Sequence, residues 1–211
     1  TIRDSQNGRL PPCHLSEYVT YIVYFPSLTA GPIDRLERFI SDLRESKDIS
    51  SSELFIAGKR ILIGMVKKFV IADTLALFAL NGTNAEQVHS SGWMWVLLYA
   101  YSFQIFFDFS GYTDIAIGMA RLTGVTLPEN FNSPYASMNL TIFWNRWHIT
   151  LTQWLRTYFF NPLTRFLRLH TPSFSATSVI GITQMATMIL IGAGHGMTWN
   201  FGHGQRLVEF V

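Results

Sequence analysis

Between Asn130 and Val208 the chain has no aspartate and no glutamate, although five arginines and four histidines fall in that interval. No Ser-His-Asp relay or carboxylate-rich metal centre can be built from that part alone. Any carboxylate that orients a histidine there has to come from another segment. Cysteine is nearly absent too: Cys13 is the only one in 211 residues, which excludes an intrachain disulfide and a cysteine-based zinc site. No G-x-S-x-G elbow and no H-E-x-x-H pair occurs. "DFSGYTD", residues 108–114, holds two acids and a glycine without the spacing of a phosphate or calcium loop. No resident metal or cofactor is therefore expected. Charged residues make up only 14% of the chain, against about 25% in ordinary soluble domains. The net charge of +2, with no basic run interleaved with aromatics, gives no footprint for nucleic acid.

What is present points to lipid. Hydrophobic residues make up 48% and aromatic ones 15%, in the pattern of a membrane protein that keeps substantial polar loops. Thr1 is not an initiator methionine, and both ends are expected to lie inside a longer frame. No internal repeat or low-complexity tract divides the chain, so residues 1–211 read as one incomplete domain.

Residues 1–14 read as a polar connection. The aromatic stretch after them, "YVTYIVYFPSLTAGPI", is interrupted by Pro26, Gly31 and Pro32 and is too short to span a bilayer simply. "DRLERFISDLRESKD" predicts a solvated amphipathic helix with Leu36, Phe39, Ile40 and Leu43 as its apolar stripe. Over residues 54–80, Lys59, Arg60, Lys67 and Lys68 fall on one side of a helix, with Leu62, Met65 and Phe69 opposite. Such a face lies either on an anionic membrane surface or against other protein. Residues 93–107 carry no charge and lead into Asp108 and Asp114. A carboxylate at membrane depth costs about 2.5–3.5 kcal/mol on insertion scales, so both are expected to face protein or water. "PENFNSPY", residues 128–135, is a turn-rich loop.

"TIFWNRWHITLTQWLRTYFF", residues 141–160, reads as one two-faced helix: with His148 at 0°, Phe143, Trp144, Trp147, Leu151, Trp154, Leu155 and Tyr158 cluster between about 220° and 340°. His148 falls on the border between the faces. Thr171 and Pro172 read as the cap and first turn of an uncharged segment reaching residue 194, long enough to cross a membrane. Arg165 and Arg168 before it, unaccompanied by acids, assign that end to the cytoplasm. At the far end, Gly192, Gly194 and Gly196 surround His195, which opens room for a substrate or for a packed helix. On residues alone, intramembrane Asp108, Asp114, Arg146 and Arg156 suit a transporter or flippase at least as well as an enzyme.

Read together, "YFPSLTAGPIDRLERF", "FFDFSGYTDIAIGMARLTGVTLPENFNSPY", "FWNRWHITLTQWLRTYFFNPL" and "GHGMTWNF" occur in this order. The set resembles the membrane-bound O-acyltransferase family, in the bacterial branch that O-acetylates alginate or transfers D-alanine to teichoic acid. The resemblance covers most of residues 18–201. It implies an all-α, polytopic, multi-pass protein of the cytoplasmic (inner) membrane, longer than this chain. Such an enzyme moves an acyl group from a thioester co-substrate to a hydroxyl of an exported or cell-surface polysaccharide. By the same resemblance His195 of the "HG" motif is the catalytic base and His148 of "RWH" is the second characteristic residue. Asn145, Arg146, Trp147, Asp114 and Asn200 follow as substrate-positioning candidates. The implied partners are the lipid bilayer, the polysaccharide acceptor, and an acyl carrier protein or periplasmic acyltransferase. Acetyl is the expected acyl group because "GYTDIAIG" is closest to the acetyltransferase branch, with D-alanyl transfer as the alternative. The chain departs from the family's pattern where Gly194, rather than an aromatic residue, precedes "HG", and where "GHGQRLVEFV" follows "WNF".

Overall fold

The computed structural model describes residues 12–45, 49–81, 84 and 88–194, and every regular element among them is helical. The chain divides into two compact units, residues 1–132 and 133–211. In the first, the interrupted aromatic stretch folds as two short helices, α1 (Leu15–Ile22) and α2 (Phe25–Leu28). Pro26 sits in the first turn of α2, where its missing N–H costs no helical bond. The next helix, α3 (Leu36–Arg44), buries Leu36, Phe39 and Ile40 as the periodicity predicts, while Leu43 stays 41% exposed.

Residues 51–76 form one continuous rod. It comprises α4 (Ser51–Met65), a stretch of wider π turns (Val66–Ala72) and α5 (Asp73–Ala76). Ser50 caps its start, its Oγ accepting from the Glu53 N–H at 3.2 Å. Against this rod runs α6 (Ser91–Leu122), 32 residues or about 48 Å long at 1.5 Å per residue. The two are antiparallel, since Gly64 meets Gly111 and Ala57 meets Gly118. A Cβ on Gly64 would lie 2.6 Å from the Gly111 carbonyl oxygen, and one on Gly111 2.7 Å from that of Gly64. Seven-residue spacing returns both small pairs to the same seam, and the backbones close to a distance that no side chain would permit.

The end of α6 is fixed by a left-handed glycine. Gly124 has φ +79, the Val125 N–H reaches the Ala120 carbonyl at 3.1 Å, and the Gly124 N–H reaches that of Arg121 at 3.1 Å. This is a Schellman closure, and it turns Val125 into the core beside Ala120. The same cluster contains Tyr24, Phe39, Ile117 and Leu127. Full burial of side chains such as Phe39 and Ile117 contributes about 1.5–3 kcal/mol each. The Tyr24 hydroxyl pairs with Thr123 Oγ1 at 2.6 Å, so the aromatic segment is tied to the helix end it covers.

The second unit opens on a 3₁₀ turn (Pro134–Ala136) and continues with α7 (Leu140–Arg146), capped by Asn139, whose Oδ1 accepts from the Ile142 N–H at 2.8 Å. The single helix expected over 141–160 is broken: α7 stops at Arg146 and α8 (Ile149–Leu155) starts after His148. The cause is His148 itself, at φ 43 and ψ 55, which no α-helical ladder can pass through. Wheel positions computed across that point therefore do not hold. A π stretch (Arg156–Phe160) leads into α9 (Asn161–His170) and then α10 (Ala176–Gly194). Thr171 and Pro172 are not the start of α10. Thr171 Oγ1 donates to the Leu167 carbonyl at 2.6 Å and closes α9, while Ser175 Oγ accepts from the Ser178 N–H at 3.1 Å. Among the described residues α10 alone, over Ala176–Ala193, is long and apolar enough to cross a membrane.

Candidate functional site

His148 occupies the break between α7 and α8 in the left-handed region, one of two non-glycine residues with positive φ among those described. For an L-residue that conformation costs about 1 kcal/mol, and histidine tolerates it better than most. Its backbone holds both ends: the Trp147 N–H closes α7 on the Phe143 carbonyl at 2.9 Å, and the His148 carbonyl starts α8 by accepting from the Thr152 N–H at 3.0 Å. The left-handed backbone falls on a titratable, partly buried side chain, and conformations of this kind cluster at functional sites. In "NRWHIT" the histidine itself is only a weak signal, because neither glycine nor asparagine marks the left-handed position.

Trp147 is locked by aromatic neighbours. Its ring stacks on Phe143 at 5.6 Å with 19° between planes, and Tyr135 meets both rings edge-on, at 6.2 Å from Trp147 and 5.8 Å from Phe143. Asn145 is exposed and Arg146 partly buried, so the three predicted positioning residues lead directly into the break at His148. His195 and Asn200 lie outside the described residues, and α10 carries the chain as far as Gly194. A Cβ on Gly192 would meet nothing within 4 Å among the described atoms.

Asp114 belongs to the first unit, on α6. Its Oδ1 accepts from Arg60 Nη2 at 2.9 Å and Nε at 3.1 Å, and its Oδ2 accepts from Lys67 Nζ at 2.6 Å. Arg60 also donates through Nη1 to Glu129 at 2.6 Å, and Lys68 pairs with Asp108. Three cations of the 51–76 rod thus meet three carboxylates. Of the two settings the sequence left open for the basic face, packing on protein is the one found for Arg60, Lys67 and Lys68. The expectation that Asp108 and Asp114 face protein holds as well. Which cation meets which acid was not legible, because the pairing depends on the glycine seam that sets the register of the two helices. Among the described residues no group of three His, Cys, Asp or Glu side chains is arranged to hold a metal ion.

Two further carboxylates are set by their surroundings. Arg44 and the His14 backbone N–H hydrogen-bond to Glu17 and lower its pKa to about 2. Burial raises the carboxyl of Asp34 above its usual range, against the opposing pull of Arg38, whose Nη2 lies 2.7 Å away.

The model of the MBOAT, membrane-bound O-acyltransferase, family matches residues 3–180. That span includes Asp114, Asn145, Arg146, Trp147 and His148 and stops short of His195 and Asn200. A probable alginate O-acetylase of Pseudomonas aeruginosa is 37% identical over 98% of this chain and 39% of its own length. A teichoic acid D-alanyltransferase of Streptococcus thermophilus is 31% identical over 95% of this chain and 50% of its own. A peptidoglycan O-acetyltransferase of Helicobacter pylori is 35% identical over 89% and 35%. The chain thus spans between 35% and 50% of the length of these relatives.

Proposed function

Because the chain belongs to the membrane-bound O-acyltransferase family, we propose that it is part of an enzyme that transfers an acyl group, acetyl by preference, to a hydroxyl of an exported or cell-surface polysaccharide. The observation that carries this reading is the family match over residues 3–180. The alginate and peptidoglycan O-acetyl relatives, at 37% and 35% identity, support acetyl over the D-alanyl relative at 31%.

In this reading His195 is the general base. A neutral imidazole nitrogen takes the proton of the acceptor hydroxyl as that oxygen attacks the thioester carbonyl. The tetrahedral oxyanion then collapses, the C–S bond breaks, and the imidazolium returns its proton to the departing thiolate. Base assistance of this kind is worth about 10²–10⁴ in rate. His148 is the second imidazole of the site, held at the α7–α8 break, with Trp147 fixed beside it by Phe143 and Tyr135. Asn145, Arg146 and Asn200 supply donors for the oxyanion or the acceptor. No acid between Asn130 and Val208 is available to orient His195, so its second nitrogen is held by a backbone carbonyl, by another polar side chain, or by a carboxylate from elsewhere. Asp114 acts differently: its carboxylate is taken by Arg60 and Lys67, and it serves the helix pair rather than the substrate.

The protein is proposed to cross the inner membrane several times, with α10 as one span and the α4–α6 pair as a further embedded element, in which Arg60, Lys67 and Lys68 are answered by Asp114, Glu129 and Asp108. The thioester donor comes from a carrier or coenzyme, and the acceptor polymer, directly or through a periplasmic acyltransferase partner, receives the acyl group while the thiol departs. The test is mass spectrometry of polymer from cells carrying or lacking the full-length protein. Acetyl esters that depend on it support the proposal, D-alanyl esters move it to the other branch, and unchanged esters of both kinds refute it.

A further inference from the structure

The exposed side of α9 is divided lengthwise in a way its sequence alone does not make plain. Leu163, Thr164 and Leu167 turn inward, and Thr164 Oγ1 donates to Thr183 Oγ1 of α10 at 3.3 Å. At 100° per residue the outer surface then holds two flanks: Arg168, Asn161 and Arg165 on one, Leu169 and Phe166 on the other. Phe166 is 54% and Leu169 72% exposed, and His170 stacks on Phe166 at 4.2 Å. No carboxylate occurs between residues 133 and 194, so among the described residues of this unit there is no acid to answer the arginines. Five residues after α9 ends, α10 begins, and it is the one described helix able to cross a membrane by length and composition.

We propose that α9 lies in the membrane interface and that Arg165 and Arg168 form a binding surface for anionic phospholipid headgroups, with Phe166 and Leu169 set into the adjoining acyl chains. A helix whose outer surface is half cationic and half apolar is matched to that boundary, where a phosphate layer meets hydrocarbon within one helix diameter. Continuity with α10 places it there, because a chain leaving a span after five residues has little room to move away from the headgroups. The inference rests on α10 being a span and not on acyl transfer, so it can fail while the proposed activity stands, and the reverse.

The test uses the full-length protein in nanodiscs. Each arginine near an anionic surface is worth about 1 kcal/mol, or roughly fivefold, so R165Q/R168Q should weaken retention of phosphatidylglycerol about 30-fold. Retention of phosphatidylcholine should not change, and R44Q, the loss of a charge already paired with Glu17 on the other unit, should leave both alone. A nitroxide on L169C, in a chain whose other cysteines are replaced, should be more accessible to oxygen than to a water-soluble nickel chelate. Equal retention of both lipids by the wild type, or no effect of R165Q/R168Q, overturns the proposal. A label at residue 169 that stays open to the aqueous reagent overturns it too, and points to a soluble acidic protein on this face.

Discussion

Replacing Asp114 by asparagine removes a charge while keeping the shape, and it leaves Arg60 and Lys67, seven residues apart on the same rod, without the α6 carboxylate that both donate to. Asp114 is 15% exposed, Arg60 21% and Lys67 28%. Removing one member of a fully buried pair costs about 3–5 kcal/mol, and partial exposure screens such interactions. Arg60 also keeps Glu129. The expected loss is therefore about 2–3 kcal/mol, a factor of roughly 30–150 in the folding equilibrium. The assay is chemical unfolding of the purified full-length protein in mild detergent, with D114N, K67M and the double variant compared in one cycle. The double variant should recover more than about 1 kcal/mol relative to additive losses, since the two side chains touch. If D114N keeps wild-type stability yet abolishes acyl transfer, the carboxylate works on the substrate and the assignment to the helix pair is wrong.

At His148, glycine and asparagine accept the left-handed backbone more readily than alanine, so H148G and H148N should each lose less stability than H148A, by about 1 kcal/mol. None of the three should restore acyl transfer; full activity in H148N would reduce the residue to a backbone role. For Glu17 the sign follows from its folded pKa of about 2, below the ordinary glutamate range. The contribution of its pairing with Arg44 is complete above the unfolded value and disappears as pH falls toward 2. Thermal midpoints of wild type and E17Q should converge over that window, and a constant difference down to pH 2 would exclude the pairing.

The helical class and the ordered motifs were readable because they rest on composition and on runs of residues close in sequence. The amphipathic stripe of α3 shows the same: Leu36, Phe39 and Ile40 are buried as their spacing predicts. Periodicity failed where one residue leaves the helical region. Residues 141–160 have an unbroken two-faced pattern, yet His148 at φ 43 splits them, and histidine signals a left-handed position far more weakly than glycine or asparagine. The start of α10 was misplaced because Thr171 and Ser175 are both good caps, and the Leu167 carbonyl had already taken the first. The end of α6 did carry a signal, Gly124 just past the last helical turn, in "RLTGV". The Arg60–Asp114–Lys67 contact lay beyond reach, since it joins residues 47 and 54 positions apart through a seam of glycines.

The most direct test of the account is His195→Ala in the full-length protein, expressed to the wild-type level and verified to be folded in the membrane, with polymer esters quantified by mass spectrometry. The account predicts a fall in acyl transfer of about 10²–10⁴. Acyl transfer at the wild-type rate would contradict it.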